Sequence, residues 1–96
     1  MKTTTNQKFI IRCDRAGVFY AELASRTGDE AVLRNARRIY YWTGAATLSQ
    51  LALEGVKSGS KLTVAVPEMT VLGVIEVIPA AEAAVLNLDK VEPWRV

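Results

Sequence analysis

From Lys8 to Trp42 the apolar residues recur at nearly every second position, and short turn-forming tetrads interrupt them. That rhythm restricts the fold more than any other feature. A period of two puts successive side chains on opposite faces of an extended strand, whereas a helix needs apolar residues three and four apart. In "KFIIRC" (8–13) Phe9, Ile11 and Cys13 alternate with Ile10 and Arg12. "DRAG" (14–17) has turn chemistry, with an aspartate that can bond the following backbone and a glycine free to take positive φ. A second strand from Val18 to about Ser25 sets Phe19, Ala21 and Leu23 against Tyr20, Glu22 and Ala24, so the two strands read as a hairpin. "RTGD" (26–29) turns the chain again, and a third strand starts near Glu30. It meets "RNAR" (34–37), where asparagine is poor strand material. A bulge or sharp bend is expected at Asn35-Ala36, then a fresh strand through Ile39 to Trp42.

After Trp42 the rhythm changes. "TLSQ" (47–50) has the pattern of a capping box, with Thr47 as cap and Gln50 reaching back to the cap's amide. Leu48, Leu51 and Ala52 then share a face and Gly55 suits the stop, which predicts a helix over roughly residues 45–55. "KSGSK" (57–61) reads as a loop and "LTVAV" (62–66) as a short strand. "PEM" (67–69) is expected to interrupt it, because proline cannot donate to a central ladder. "TVLGVIEVI" (70–78) reads as a strand bent at Gly73, and "PAAEAAVLNL" (79–88) as a short helix with Pro79 just before or at its first turn. The fold class is therefore α+β: a small, mostly antiparallel curled sheet or partial barrel of about five to six strands, with one good helix and one short helix. Residues 1–96 are expected to form a single domain, with 1–7 a polar tail and 89–96 a weakly structured one. Trp94 is expected to dock, because an indole is costly to leave wholly in water.

The chain has no histidine and a single cysteine, Cys13. Histidine-dependent triads, the usual zinc sites and intrachain disulfides are thereby excluded. A thiolate nucleophile needs a cation arranged to depress its pKa, so Cys13 reads as a small buried apolar residue. The ten acids are scattered apart from Asp29-Glu30. Neither an enzyme, a cofactor nor a metal is expected. "MKTTTNQK" lacks the apolar core of a secretory leader, and no apolar run approaches the ~20 residues that span a bilayer. No membrane partner is expected either.

Charge is uneven. Through Trp42 eight Lys/Arg face four Asp/Glu, a net +4; from Thr43 onward four face six, a net −2. The basic part is rich in arginine, whose planar guanidinium suits bidentate contact with phosphate or carboxylate. Its densest piece is "RRIYYW" (37–42), with Arg34 just before and "TGAAT" just after. In a regular strand Arg38, Tyr40 and Trp42 share one face while Arg37, Ile39 and Tyr41 share the other. Guanidinium charge beside stacking rings suits a nucleotide or nucleic acid, and Gly44 would let backbone amides approach an anion. The candidate ligand-binding set is Arg34, Arg37, Arg38, Tyr40, Tyr41, Trp42 and Gly44. The same rings could instead be core, with the arginines solvated and paired to Glu22 or Glu30, or an interface in a homo-oligomer or with a host protein. No RNP pattern or Walker loop is present.

"DRAGVF", "LRNARRIYYWTGAATLSQLA", "EGVK" and "IPAAEAA" together resemble a family of uncharacterised small proteins encoded in tailed-phage and prophage genomes. The resemblance runs from about Phe9 to Ala84 and brings no assigned catalytic or binding residues. It implies a phage accessory protein in the cytoplasm of a bacterial host, or in the virion. In that setting an anionic ligand would be nucleic acid or a nucleotide signal of host defence; the competing expectation is a protein–protein module.

Overall fold

A computed structural model of the chain describes residues 7–95; the expected polar tail lies outside the described residues apart from Gln7. The hairpin expected at the start is present: β1 (Lys8–Cys13) pairs antiparallel with β2 (Gly17–Thr27), and Phe9 faces Ala21 across the ladder. The third strand, β3 (Glu30–Tyr41), runs antiparallel to β2 as one continuous element. The bulge expected at Asn35-Ala36 is present, and the strand runs on through it instead of starting afresh. The register passes from Tyr20↔Arg37 to Glu22↔Arg34, so Asn35 and Ala36 together oppose Ala21, and Asn35 takes φ 51°. Asparagine tolerates that left-handed conformation better than most residues. One extra residue also flips the alternation. Leu33 and Ala36 face one cluster of buried residues, Ile39 the other.

The helix α1 (Leu48–Glu54) starts later than the expected residue 45. Thr47 caps it as anticipated, its hydroxyl accepting from the Gln50 amide at 3.1 Å. The Gln50 side chain reaches back one residue further than a capping box requires, accepting from the Ala46 amide at 2.9 Å. "LTVAV" is not one strand: Leu62 ends the two-residue β4 (Lys61–Leu62) and Val66 opens the next strand. The proline does not interrupt the next strand but lies inside it: β5 (Val66–Val71) includes Pro67. It tolerates proline because its only strand partner among the described residues is β3, which leaves its other side an edge. Leu72 and Gly73 separate β5 from β6 (Val74–Pro79), and α2 (Glu82–Asp89) follows, three residues later than Pro79.

The described residues thus form one unclosed sheet of six mostly antiparallel strands and two helices, an α+β fold. Its order is β4-β3-β2-β1-β6, with β5 beside β4 along the same edge of β3. Since β5 and β6 lie at opposite edges yet are joined by two residues, the sheet must curl until its edges approach. The Val74 amide donates to Asp29 O across that seam at 2.9 Å. Curling creates two apolar layers. Ile11, Cys13, Phe19, Ala21, Leu33, Ala36, Val71 and Val74 fill the concave interior. Ile10, Tyr20, Ile39 and Leu62 face outward and are covered by Leu51, Ala52, Ala84 and Leu88 of the helices. Burying both sheet faces gives a chain of this length a sizeable core.

Candidate functional site

The candidate set does not share one environment. Arg37 is buried, only 8% exposed. Its Nε donates to Thr63 O at 2.9 Å, one Nη to Leu88 O at 3.1 Å, and the other to Val91 O at 2.8 Å and Leu62 O at 3.4 Å. The guanidinium thus ties β3 to β4 and to the C-terminal end of α2, where carbonyls lack helical donors. Burial favours its neutral form, opposed mainly by the nearby Asp89 carboxylate. A guanidinium engaged in this way has its bonds directed to carbonyls of its own chain and is buried, which corrects the reading of Arg37 as a solvent-facing group. The bulge is the physical reason, because it turns residue 37 towards the helices.

A second bulge redistributes the rings. Ile39 pairs with Leu62 and Tyr41 with Lys61, which leaves Tyr40 as the extra residue. Tyr40 and Tyr41 are both exposed, at 62% and 50%. Trp42 returns to the helix side, half-buried against the outer cluster, with its indole Nε1 donating to Ala45 O at 3.2 Å. The expected common face of Arg38, Tyr40 and Trp42 is therefore split, with Trp42 on the other side. Arg34 is exposed on the part of β3 paired with β5, and it meets Glu68 at 3.4 Å rather than Glu22 or Glu30. Gly44 (φ 87°) does approach something closely, but from its own chain: a Cβ there would sit 1.9 Å from Lys57 Cγ.

Arg38 and Tyr40 both remain exposed, and two residues absent from the candidate set, Lys61 and Trp94, assemble at Tyr40. Trp94 stacks on Tyr40 with ring centroids 4.8 Å apart and planes 13° from parallel. Lys61 Nζ lies 5.2 Å from the centre of the Trp94 ring. Pro93 forms an isolated parallel bridge with Leu62, and the Trp94 amide donates to Leu62 O at 2.8 Å, so the expected docking of this indole is met. Arg38 lies over Phe19 at 4.8 Å and has no carboxylate within 4 Å among the described residues. The result is an exposed pair of stacked rings with Lys61 against one of them, and an exposed Arg38 two residues before Tyr40 on β3. Trp94 was announced only by an aromatic stranded in a polar tail. Lys61 carried no signal, since it reads as the last residue of the loop 57–61.

Elsewhere, Tyr20 donates to Asp89 at 2.7 Å, and Lys8 Nζ lies 3.7 Å from the same carboxylate. Burial first, and then the bond to Asp89, hold the Tyr20 hydroxyl well above its ordinary pKa. This cluster borders a groove of about 410 Å³ lined by Lys8, Asn35, Arg37, Asp89 and Lys90. A second groove of about 320 Å³ is lined by Lys57, Ser58, Gly59, Asn87 and Lys90. Neither is lined by Tyr40, Lys61 or Trp94. Burial raises the pKa of the Cys13 thiol, only partly opposed by Arg38, which makes it a poor nucleophile. No group of three or more potential metal ligands occurs among the described residues, and no described helix is long and apolar enough to cross a membrane.

Neither a curated protein nor a solved structure matches this chain. A family model does match, over residues 6–88, a span that holds every strand and all of α2 except Asp89. The chain belongs to the family described as Domain of unknown function (DUF6948).

Proposed function

We propose that this protein acts by binding, not catalysis, and that its ligand is a flat, phosphate-bearing molecule, either nucleic acid or a nucleotide, held at Tyr40 between Arg38 and Lys61. The observation that carries this reading is the Tyr40–Trp94 stack. The Tyr40 ring already accepts a near-parallel stacked aromatic at 4.8 Å, and a lysine lies against that aromatic. A nucleobase could take the same place, with its phosphate towards Lys61 or Arg38. Base–aromatic stacking is worth about 1–3 kcal/mol per base and tolerates any base. Cations without carboxylate partners remain available to phosphate. Tyr41, exposed beside them, extends the surface. In the phage setting that the sequence resemblance suggests, the ligand would be nucleic acid or a nucleotide signal of host defence, met in the bacterial cytoplasm or the virion.

The test is fluorescence anisotropy of a labelled oligothymidylate and of a labelled mononucleotide across a salt series. Tyr40→Ala, made in a Trp94→Ala background so that loss of the Tyr40–Trp94 stack does not enter, should weaken binding by about 1–3 kcal/mol. Arg38→Ala and Lys61→Ala should each flatten the salt dependence for the oligonucleotide by about 0.7 log units per decade. Binding that survives Tyr40→Ala together with Arg38→Ala in a folded protein defeats the proposal. A second reading rests on the same exposure: Tyr40, Tyr41 and Val64 are solvent-facing apolar side chains beside arginine, the composition of an interface core. Under it the partner is a second copy or a host protein. Native mass spectrometry that finds assemblies dissociated by Tyr41→Ala, with no oligonucleotide bound, favours that reading over the first.

A further inference from the structure

Trp94 lies on the ring assigned above to the ligand, and it is held unequally. The root of the C-terminal segment is fixed, because Val91 O accepts from buried Arg37 at 2.8 Å and the Val91 amide donates to Leu88 O at 3.2 Å. The tip has much less. Glu92, Pro93, Trp94 and Arg95 are all exposed, and neither Glu92 nor Arg95 forms an ion pair among the described residues. Its attachments are the Trp94 amide to Leu62 O, the Pro93 bridge to the same residue, the Tyr40 stack and Lys61 against the indole. The family match ends at Leu88, so Tyr40 lies inside the matched span and Trp94 beyond it.

We infer that residues 92–95 form a detachable strap, in which the Trp94 indole occupies the base-stacking face of Tyr40 and competes with ligand for it. This rests on the reading that Tyr40 is a ligand-binding ring. An exposed aromatic stack and one exposed backbone hydrogen bond together favour the docked tip by about thirtyfold. A ligand that needs Tyr40 uncovered then binds with an apparent Kd raised by the same factor, since only the open fraction is competent. The strap thereby sets a threshold. Weak or singly stacked ligands fail to displace the indole, while one that adds phosphate contacts to Arg38 and Lys61 succeeds. Release of the strap also frees Lys61 from the indole, which adds its charge to the site.

The test uses the full chain in two arms. Without ligand, amide hydrogen exchange should show the Trp94 N–H protected about thirtyfold relative to an unstructured peptide, far less than the amides of β3. Tyr40→Ala should reduce that protection severalfold, leaving only what the Trp94 amide gains from its bond to Leu62 O. If the Trp94 amide exchanges only with global unfolding, the tip is a fixed part of the fold and the strap is refuted with no ligand involved. In the second arm, a fluorescein-labelled oligothymidylate is titrated into wild type, Trp94→Ala and Tyr40→Ala. Trp94→Ala should bind about thirtyfold more tightly, about 2 kcal/mol at 1.4 kcal/mol per tenfold, and Tyr40→Ala, which loses the stacking ring and the competing indole together, should bind more weakly than Trp94→Ala. Wild-type binding that Trp94→Ala weakens or leaves unchanged overturns the strap and makes the indole part of the platform. Absence of binding by all three overturns the ligand reading itself, and competition with it, while the exchange arm still reports whether the tip opens.

Discussion

Replacing Arg37 by methionine keeps the aliphatic stem and removes the guanidinium, which isolates what its hydrogen bonds contribute. Four carbonyls lose a donor, but not equally. Leu62 O still accepts from the Trp94 amide and Leu88 O from the Val91 amide. Thr63 O and Val91 O have no other donor among the described residues. Each orphaned, partly buried carbonyl costs about 1–2 kcal/mol. Asp89 also loses a neighbouring cation, although removal of a desolvated charge offsets part of that. The sum is about 3 kcal/mol. For a domain of this length it lowers Tm by about 12–24 °C, since each kcal/mol shifts Tm by about 4–8 °C. Thermal unfolding by circular dichroism and urea titration measure it directly. A loss under about 1 kcal/mol would refute the assignment of Arg37 as a structural tie. So would a variant of unaltered stability that had lost ligand binding, because it would return Arg37 to the binding site.

Alkaline pH should weaken the fold through Tyr20. Its hydroxyl is held well above the ordinary value of about 10, so the stability it contributes is complete below pH 10 and lost as pH rises further. Tyr20→Phe should flatten urea midpoints measured above pH 10 and cost about 1 kcal/mol at pH 7 through the lost bond to Asp89; an unchanged alkaline slope contradicts the shift. Cys13, buried and with a raised pKa, should react with iodoacetamide much more slowly in native protein than in urea, and equal rates would contradict its burial. Gly55→Ala should destabilise by about 2 kcal/mol or more in a urea melt. The residue has φ 85°, and a Cβ would lie 2.2 Å from Asn87 Oδ1, which accepts from the Val56 amide at 2.8 Å. A loss within experimental error would refute that close packing.

Much of the fold is legible because local chemistry and the alternating pattern agree. Phe9, Ile11, Cys13, Phe19, Ala21 and Leu23 all lie at the concave layer, as a period of two requires. Thr47 caps its helix. The failures have one common cause, which is that strand partnership is non-local. Pro67 reads as a break only if β5 is central, and nothing local reveals that it is an edge. Val64 and Ala65 alternate as a strand should, yet no named strand includes them, because the chain steps there from its β4 pairing to its β5 pairing along β3.

The site was harder to read for the same reason in a sharper form. Assigning faces to "RRIYYW" requires counting residues without slippage, and this segment contains or follows two slips. Asn35 announces the first by its composition, so a bulge could be expected there, but its consequence for residue 37 is visible only once the ladder is known. Nothing in Ile39-Tyr40-Tyr41 announces the second. Each slip exchanges inside for outside, so a six-residue run of charge and rings becomes a buried tie at Arg37, an exposed pair at Arg38 and Tyr40, and a half-buried anchor at Trp42. The partners that complete the exposed surface, Lys61 and Trp94, come from chain segments 20 or more residues away. Composition could nominate the segment as a place of chemistry. Only the register of β3 against β2 and β4 decides which of its side chains remain free to perform it.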